Sequence, residues 1–358
     1  YPERLANEEI TWETSEQFDA GFDARFLKSR LDVSFDFYIK TTKDWLVEAP
    51  VVATTGTEKY PYINGGDVKN SGVELGITWN DKIGKEINYS VSVNGAYNKN
   101  KVGNIPNEDG IIHGENGTGQ LYDNSTEFYR AQNGQPIGYF WGFKTAGIFQ
   151  NEQEILDWIA AGNGVYQSDV KPGDVKYVDI NHDGQINEED KVNLGDGNPD
   201  FTFGASLSMD YKGFDFMISI NGQAGNQIVQ AYRNHSSSTA NYPKSILERW
   251  TGEGTSNKIP RLTTGLDNWA FSDLYIQDGD YLRINNLTIG YDFCKKLLHK
   301  EWISQCRLYF QVQNLATFTK YDGMDPEVGY GTDDWVSGVD LGYYPHPRTI
   351  LMGVNLKF

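Results

Sequence analysis

The last ten residues of the chain alternate between apolar and mostly polar positions. One face of this segment holds Ile350, Met352, Val354, Leu356 and Phe358. A period of two predicts a β-strand with one apolar face, and about ten residues are enough for a tilted strand to cross a bilayer. Two interpretations are open for this segment alone: the terminal strand of a soluble β-sandwich, or a strand of a transmembrane β-barrel.

The same alternation predicts eight further strands upstream. Their apolar faces carry mainly Phe, Val, Ile, Leu and Tyr, which favour strands, whereas the opposite faces carry Asp, Asn, Ser, Gln and Arg. The predicted strands cover 16–26, 31–40, 73–80, 87–98, 201–211, 214–221, 282–293 and 307–313. In 282–293 the apolar positions change parity at Asn285 and Asn286, which predicts a β-bulge. Apolar positions at helical spacing predict one short helix over 152–161.

The lengths of the connections distinguish the two architectures. In chain order the connections are short, long, short, long, short, long, medium and long, and the longest span 101–199, 225–279 and 318–348. This alternation is typical of a transmembrane barrel, which has short turns at one rim and long loops at the other. A Greek-key sandwich has no reason to place every long connection at one end. With the C-terminus on the periplasmic side, all three long connections are predicted to be extracellular.

Aromatic residues fall near both ends of the predicted strands. Trp45, Tyr97 and Phe201 mark the outer ends, and Trp79, Tyr211, Phe214 and Phe293 mark the inner ends. Two aromatic belts at the membrane interfaces are one interpretation, and ordinary core packing is the other. Because nine is an odd number of strands, and a barrel cannot leave an open edge in lipid, we expect this chain to be the C-terminal part of a larger barrel.

Charge and composition exclude several classes of protein. The 358 residues carry a formal net charge of −18, and the basic residues are scattered, so nucleic-acid binding is not expected. No apolar run of about 18 residues occurs, which excludes a transmembrane helix. The two cysteines, Cys294 and Cys306, flank the connection between two predicted strands. They either face each other across a hairpin or remain two buried free thiols.

One segment carries a chemical motif. Residues 179–190, DINHDGQINEED, fit the calcium-loop pattern D-x-[DN]-x-[DN]-G. The predicted ligands are Asp179, Asn181, Asp183, the backbone carbonyl of Gln185 and, at the twelfth position, Asp190.

Gly184 of this motif permits the sharp turn that brings the oxygen atoms together. We expect a structural Ca²⁺ that pins a long connection. Because Asp190 is shorter than the usual Glu, Mg²⁺ and an ion-free Asx-rich turn stay open as alternatives.

No residue pattern predicts catalysis. The five histidines lack zinc-site spacing, and no GxSxG, P-loop or Rossmann fingerprint occurs. The 49 acidic residues offer no preferred pair for a hydrolase. We therefore do not expect an enzyme. Trp141, Trp269 and Trp335 lie in the long connections, where they either stack on sugars or pack within the loops.

An ordered series of segments resembles one protein family. The series comprises TWETSEQFDAGFDARFLKSRLDVSFDFYIKTTKDWL, NSGVELGITW, IGYFWGFKTAGIF, GDVKYVDINHDGQINEEDKVNLGDGNPDFTFG, LRINNLTIGYDF, QNLATFTKYDGMDPEVG and the terminal strand. It covers essentially the whole chain and is similar to the C-terminal barrel portion of SusC/RagA-type TonB-dependent outer-membrane transporters.

The resemblance implies an all-β fold, an antiparallel transmembrane β-barrel of which residues 1–358 supply about nine of roughly 22 strands. Residues 101–199 would form a long extracellular loop that carries the 179–190 motif. The implied function is import of an oligosaccharide or peptide across the outer membrane of a Gram-negative bacterium. The implied partners are a SusD-like surface lipoprotein and TonB, which acts through an N-terminal part. A plug domain and a TonB box have no counterpart in this sequence. The alternative function is that of a secreted, calcium-stapled β-sandwich, an adhesin or glycan-binding module.

Overall fold

The computed structural model describes residues 4–48, 61–114, 127–232, 241–295, 302–328 and 335–358. These ranges contain one α-helix, α1 (Glu152–Ala160), and four short 3-10 helices at Glu188–Asp190, Lys244–Glu248, Asp273–Tyr275 and Phe293–Lys295. The strands are β1 (Thr14–Phe26), β2 (Leu31–Lys43), β3 (Leu46–Glu48), β4 (Tyr62–Asn64), β5 (Asp67–Ile83), β6 (Ile87–Gly103), β7 (Ile111–His113), β8 (Tyr129–Gln132), β9 (Tyr139–Phe143), β10 (Thr145–Ile148), β11 (Val175–Tyr177), β12 (Lys191–Asn193), β13 (Phe201–Tyr211), β14 (Phe214–Ala224), β15 (Gln227–Gln230), β16 (Ile276–Asp278), β17 (Tyr281–Asp292), β18 (Gln305–Thr319), β19 (Val339–Asp340) and β20 (Thr349–Lys357). Within these ranges no helix is long and apolar enough to cross a membrane.

Nine of the strands form one antiparallel sheet in the order β1-β2-β5-β6-β13-β14-β17-β18-β20. Each of the nine predicted strands corresponds to one of these, so the sequence pattern is confirmed. Tight turns join β1 to β2, β5 to β6 and β13 to β14. In the third of these hairpins Tyr211 pairs with Phe214 across a turn of two residues, and Lys212 and Gly213 adopt positive φ.

β5 and β6 are longer than the apolar alternation predicts, because polar residues continue the pairing. β5 begins at Asp67 and β6 runs to Gly103. At this end Asn70 faces Asn100, and the Asn70 Oδ1 accepts hydrogen bonds from Asn100 Nδ2 at 2.9 Å and from Asn98 Nδ2 at 3.3 Å. Hydrogen bonds between side-chain amides therefore accompany the pairing of β5 and β6 beyond the point at which the apolar alternation ends.

The two faces of the sheet differ in polarity as the sequence predicts. The registers place the apolar positions of neighbouring strands on one face, as in the pairs of Ile77 with Val93 and of Leu308 with Val354. Large apolar side chains on this face are exposed, including Phe18 (60%), Leu308 (47%) and Met352 (79%). Burial in lipid stabilises such a continuous apolar surface, which is unfavourable in water.

The predicted bulge lies in β17. Ser219 of β14 pairs with Asn286, and the next residue, Ile220, pairs with Ile284, so Asn285 is the extra residue. Its side chain accepts a hydrogen bond from Ser219 Oγ at 2.7 Å. The bulge explains the change of parity, because it allows Ile284 and Leu287 to face the same side.

The long connections pack together at one end of the sheet. We call them the loop subdomain; its described residues are 44–48, 61–66, 104–114, 127–200, 225–232, 241–280, 320–328 and 335–348. One core cluster takes residues from three connections: Phe128, Tyr129, Phe140, Val229, Ala231, Phe271, Tyr275, Val336 and Val339. A second cluster joins Val47 to Val102, Ile105, Ile112 and Ala131. The connections therefore form a packed body.

The segment 137–149 forms β9 and β10 inside the loop subdomain, outside the large sheet. This agrees with the prediction that 101–199 is one long connection. The predicted helix is α1, and the side chain of Asn151 caps it by accepting the Glu154 N–H at 2.9 Å. Of the apolar residues in α1, Ile155 is buried, whereas Leu156 is 60% exposed.

For Trp45 the structure favours core packing over an interfacial belt. Trp45 packs within the second core cluster of the loop subdomain and contacts Trp335, so it does not lie in an interfacial belt. At the opposite end of the sheet, two of the aromatic residues predicted at the inner strand ends, Phe214 and Phe293, both contact Tyr291. Phe214 contacts Tyr291 with ring centroids 4.4 Å apart, and Tyr291 contacts Phe293 at 4.9 Å.

Candidate functional site

The predicted metal loop, residues 179–190, lies between β11 and β12 in the loop subdomain. His182 and Gly184 have positive φ values of 61° and 83°, and the second is the sharp turn that the sequence places at a glycine. The loop ends in the 3-10 helix Glu188–Asp190, which the side chain of Asn187 caps. The segment is thus a compact turn.

Asp179 is one of two buried carboxylates in this loop, with 1% of its surface exposed. Its Oδ2 accepts the Gly184 N–H at 2.8 Å, and its Oδ1 accepts the Asp183 N–H at 3.2 Å. Burial opposes ionisation, but backbone N–H donors from Gly184, His182, Gly164 and Asp183 outweigh it and hold the pKa of Asp179 below its ordinary value. The group is therefore a carboxylate at neutral pH, the form that binds a cation.

Asp190 is the second buried carboxylate and is fully enclosed. It accepts backbone N–H groups from Ile180 and Asn187, both at 2.8 Å. Lys191, its neighbour in sequence, pairs with Glu188 instead, and no salt bridge within the described residues reaches Asp179 or Asp190. Backbone N–H donors compensate the burial of these two carboxylates, but no cationic side chain neutralises them, and a bound cation would do so.

The other predicted ligands face solvent. Asn181 Oδ1 accepts the Asp183 N–H at 3.0 Å, and Asp183 Oδ1 accepts the Gln185 N–H at 2.8 Å. In the described structure Asp179, Asp183 and Asp190 do not bring one oxygen each within 4.8 Å of one another. The candidate ligand atoms are oxygens, which Ca²⁺ and Mg²⁺ prefer. Two of the candidate ligands, the carboxylates of Asp179 and Asp190, are held in place by backbone hydrogen bonds. Coordination requires the exposed side chains to turn inward.

The loop is supported by the segment that follows α1. A Cβ atom on Gly164 would lie 2.6 Å from the carbonyl carbon of Gln185, so only glycine allows this approach. The Gly164 carbonyl in turn accepts a hydrogen bond from Trp158 Nε1 at 3.0 Å. On the other side, Ile186 packs against a cluster of Phe143, Val175, Tyr177 and Ala270, as expected for an apolar loop residue.

A buried arginine anchors the last long connection to the sheet. Arg283 of β17 is 3% exposed. It donates to Thr317 Oγ1 at 3.0 Å, to Glu327 Oε2 at 2.7 Å and to Asp325 Oδ1 at 2.5 Å. One side-chain atom each from Asp325, Glu327 and His346 lies within 4.8 Å of the other two, close enough to share a metal ion. Arg283, however, already balances the charge of the two carboxylates. We interpret this group as an ion-pair anchor, which sequence spacing does not reveal.

A second ion pair crosses the polar face of the sheet near its other end. Arg307 of β18 reaches over Gly290 of β17 to Asp215 of β14, with Nε to Oδ1 and Nη2 to Oδ2 both at 2.6 Å. A Cβ atom on Gly290 would lie 2.4 Å from the Asp215 Oδ1. The sequence predicts polar residues here but not their pairing, because Arg307 and Asp215 lie on two strands separated by β17.

The tryptophans of the long connections pack within the loop subdomain. Trp141 is 8% exposed, with the guanidinium of Arg130 over its ring. Trp335 contacts Tyr129, and Trp269 packs against the first core cluster. These contacts favour the packing interpretation over sugar stacking. His235 and His299 lie outside the described residues.

The sheet and its connections define a class of protein. An apolar outer face, a polar inner face and long connections gathered at one end are the features of an outer-membrane β-barrel. Residues 2–315 match the family of TonB dependent receptor-like β-barrel domains. The chain belongs to this family, whose members are transporters and not enzymes, and it is part of a barrel in the outer membrane of a Gram-negative bacterium.

The chain is also similar to named members of the family. It is 31% identical over 360 residues to TonB-dependent receptor P3 of Formosa agariphila, covering 99% of this chain and 35% of that protein. It is 28% identical to TonB-dependent receptor SusC of Bacteroides thetaiotaomicron, covering 98% and 32%. The chain therefore spans about a third of the length of these relatives.

Solved structures support the fold. The structure of the RagAB peptide transporter matches 98% of this chain and 36% of that chain, with a TM-score of 0.76 and 24% identity. The RagAB peptide importer in the open-open state matches with a TM-score of 0.75 and 23% identity. The all-β barrel architecture predicted from the sequence is thus confirmed.

Proposed function

We propose that the protein containing this segment imports oligosaccharides or peptides across the outer membrane, driven by TonB. The observation that carries the proposal is the loop subdomain, in which the described residues of four long connections lie at one end of the sheet and pack into one body. A structured mouth suits recognition of a large solute before it enters the barrel. The likeness to SusC and to a peptide transporter supports this choice of substrate class.

We further propose that the loop subdomain is extracellular and is where a SusD-like surface lipoprotein docks. TonB would act through a part of the protein outside this chain. The orientation can be tested with an epitope inserted between Glu108 and Asp109, in an exposed turn of the subdomain. The matched control is the same epitope between Gly84 and Lys85, in the turn at the opposite end of the sheet.

Intact cells should bind antibody at the first epitope and at the second only after permeabilisation. The reverse pattern would overturn the orientation, and labelling confined to culture supernatant would favour the secreted adhesin. Affinity purification through the first tagged protein should recover a lipoprotein. Recovery of the barrel protein alone would contradict the docking proposal.

Transport is tested in the native host. A strain that lacks the full-length gene should lose uptake of at least one fraction of a panel of labelled oligosaccharides and peptides. Re-expression should restore it, and re-expression without a functional TonB should not. Uptake that is identical with and without the gene across the panel would refute import.

We also propose that residues 179–190 bind a structural Ca²⁺ through Asp179, Asn181, Asp183, the Gln185 carbonyl and Asp190. The support is the pair of buried carboxylates without a cationic partner. Equilibrium dialysis of the purified full-length protein with radiolabelled Ca²⁺ should show one site that Asp179→Asn weakens at least about tenfold.

The control for this measurement is Asp169→Asn, since Asp169 is an exposed acidic residue outside the motif. It should bind Ca²⁺ as the wild type does. Equal Ca²⁺ binding by both variants, or binding of Mg²⁺ in preference to Ca²⁺, would refute a calcium site.

A further inference from the structure

The two cysteines lie where one hairpin of the sheet closes. Cys294 belongs to the 3-10 helix Phe293–Lys295 that ends β17, and Cys306 is the second residue of β18. At this end of the sheet the other three connections are the short turns 27–30, 84–86 and 212–213. The connection between β17 and β18 is therefore the long exception at this rim.

A single carboxylate oxygen holds the two cysteine backbones together. Oδ1 of Asp292 accepts the Cys294 N–H at 3.1 Å and the Cys306 N–H at 3.3 Å. β17 and β18 pair in register as far as Asp292 and Arg307. Cys294 and Cys306 therefore lie within two residues of a matched pair on adjacent strands, within reach of a disulfide, whose Cα atoms are usually about 4 to 7 Å apart. Asp292 is itself 7% exposed, so the arrangement is built into the end of the sheet.

The two cysteines also influence each other electrostatically. Burial, the Asp292 carboxylate and the Cys306 thiol raise the pKa of Cys294, while a hydrogen bond from the Cys306 backbone N–H lowers it. Both thiols are free and partly buried in the structure.

We propose that Cys294 and Cys306 form a disulfide in the mature protein. The inference rests on the proposed orientation, which places this rim in the oxidising periplasm. The two thiols lose two protons and two electrons as the S–S bond forms, and the disulfide of a periplasmic thiol–disulfide oxidoreductase takes them up and becomes a dithiol.

The consequence would be a closed hairpin. A disulfide at the base of the β17–β18 connection would hold the ends of these two strands together, as the tight turns do for the neighbouring hairpins. The strand ends would then be fixed whatever path the connection takes. It also removes two thiols from a compartment in which they would pair with other proteins.

Peptide mapping tests the proposal directly. The full-length protein is extracted from outer membranes in the presence of an alkylating agent and digested with trypsin without reduction. Trypsin cleaves after Lys295, Lys296 and Lys300, between the cysteines. Peptides 284–295 and 301–307 should then appear as one linked species, two hydrogens lighter than their sum, which reduction separates.

Cys294→Ser should abolish the linked species and leave Cys306 alkylated. Recovery of both wild-type cysteines in alkylated form, or linkage of either to a different peptide, would overturn the proposal. The membrane fraction serves as an independent readout. A protein located in the outer membrane with two alkylated thiols would refute the disulfide and leave the transport proposal intact.

Discussion

Arg261 donates two hydrogen bonds to the buried carboxylate of Asp174, with Nε 2.7 Å from Oδ1 and Nη2 3.1 Å from Oδ2. Asp174 is 1% exposed and also accepts Asn268 Nδ2 at 2.7 Å. Asp174 belongs to the connection between β6 and β13, whereas Arg261 and Asn268 belong to the one between β14 and β17. The ion pair therefore holds these two connections of the loop subdomain together.

We predict that Arg261→Met destabilises the loop subdomain by about 3 kcal/mol, because it leaves a buried carboxylate without its cation. Hydrogen exchange of the full-length protein should show faster exchange at Val175, whose N–H bonds Asn268 at 2.9 Å.

The control is Asp169→Asn, which breaks an exposed pair with Lys171. A pair of this kind contributes less than about 1 kcal/mol, so exchange at Val175 should not change. Equal effects of the two substitutions would contradict the role assigned to Asp174.

The strands could be predicted from the sequence because each carries its own signal. Alternation marks the apolar face of β20 and the change of parity at Asn285 locates the bulge. The turn at Gly184 is equally local, since the loop motif fixes the position of the glycine. Each of these features depends on residues within a few positions of one another.

The loop subdomain could not be predicted, because its contacts join distant segments without periodicity. Phe128, Phe271 and Val336 meet in one core, yet no local pattern relates them. Trp45 shows the same limit. Its place near a strand end leaves an interfacial belt and core packing both open, and only its contact with Trp335, far along the chain, favours core packing. The Arg283 anchor likewise depends on acidic residues 42 and 44 positions away.

A methyl group at position 164 should disturb the metal loop. The Cβ of Gly164→Ala would lie 2.6 Å from the Gln185 carbonyl carbon, and backbone atoms cannot yield as a flexible side chain can. We predict that Ca²⁺ affinity falls at least about tenfold, as when a supporting group around a metal is lost.

Equilibrium dialysis with radiolabelled Ca²⁺ measures this effect. The matched control is Gly252→Ala in the same subdomain, where an added Cβ meets nothing within 4 Å, and its affinity should equal that of the wild type. If Gly164→Ala also binds normally, Gln185 does not supply a carbonyl ligand.

The pairing of β7 with β8 should weaken as the pH rises. Hydrogen bonding to Glu127, with both oxygens 3.0 Å from Nδ1, raises the pKa of His113. Because the pKa of His113 is higher in the folded than in the unfolded state, the protonated imidazole stabilises the fold. This stabilisation is fully present below the unfolded-state pKa of about 6.5 and is lost as the pH rises through the folded-state pKa. Because 48% of the side chain is exposed, screening limits the effect to less than about 1 kcal/mol.

Hydrogen exchange at 111–113, corrected for the intrinsic effect of pH, should therefore lose protection above about pH 6.5 in the wild type. The variant His113→Gln should show a flat profile over the same range. A wild-type profile as flat as that of the variant would show that the charge on His113 does not stabilise this strand pair.

Gly290→Ala should break the ion pair that crosses the polar face of β17. The new Cβ would lie 2.4 Å from Asp215 Oδ1 and 2.7 Å from Arg307 Nε, so the two side chains cannot keep their bidentate contact. Hydrogen bonds between charged groups contribute about 2 kcal/mol, and the temperature at which the folded barrel unfolds in detergent should fall accordingly. Gly103→Ala in β6, with open space around its Cβ, is the matched control and should shift this temperature less.

A double-mutant cycle separates loss of the pair from strain in the strand. Arg307→Met should destabilise the wild-type barrel, but it should have little further effect once Gly290→Ala has already displaced the guanidinium, since the two changes remove the same interaction. If the effects of Gly290→Ala and Arg307→Met simply add, the alanine acts through backbone strain. In that case glycine is needed at position 290 for the close packing of β14, β17 and β18. It would not be needed to let the Arg307 side chain cross β17.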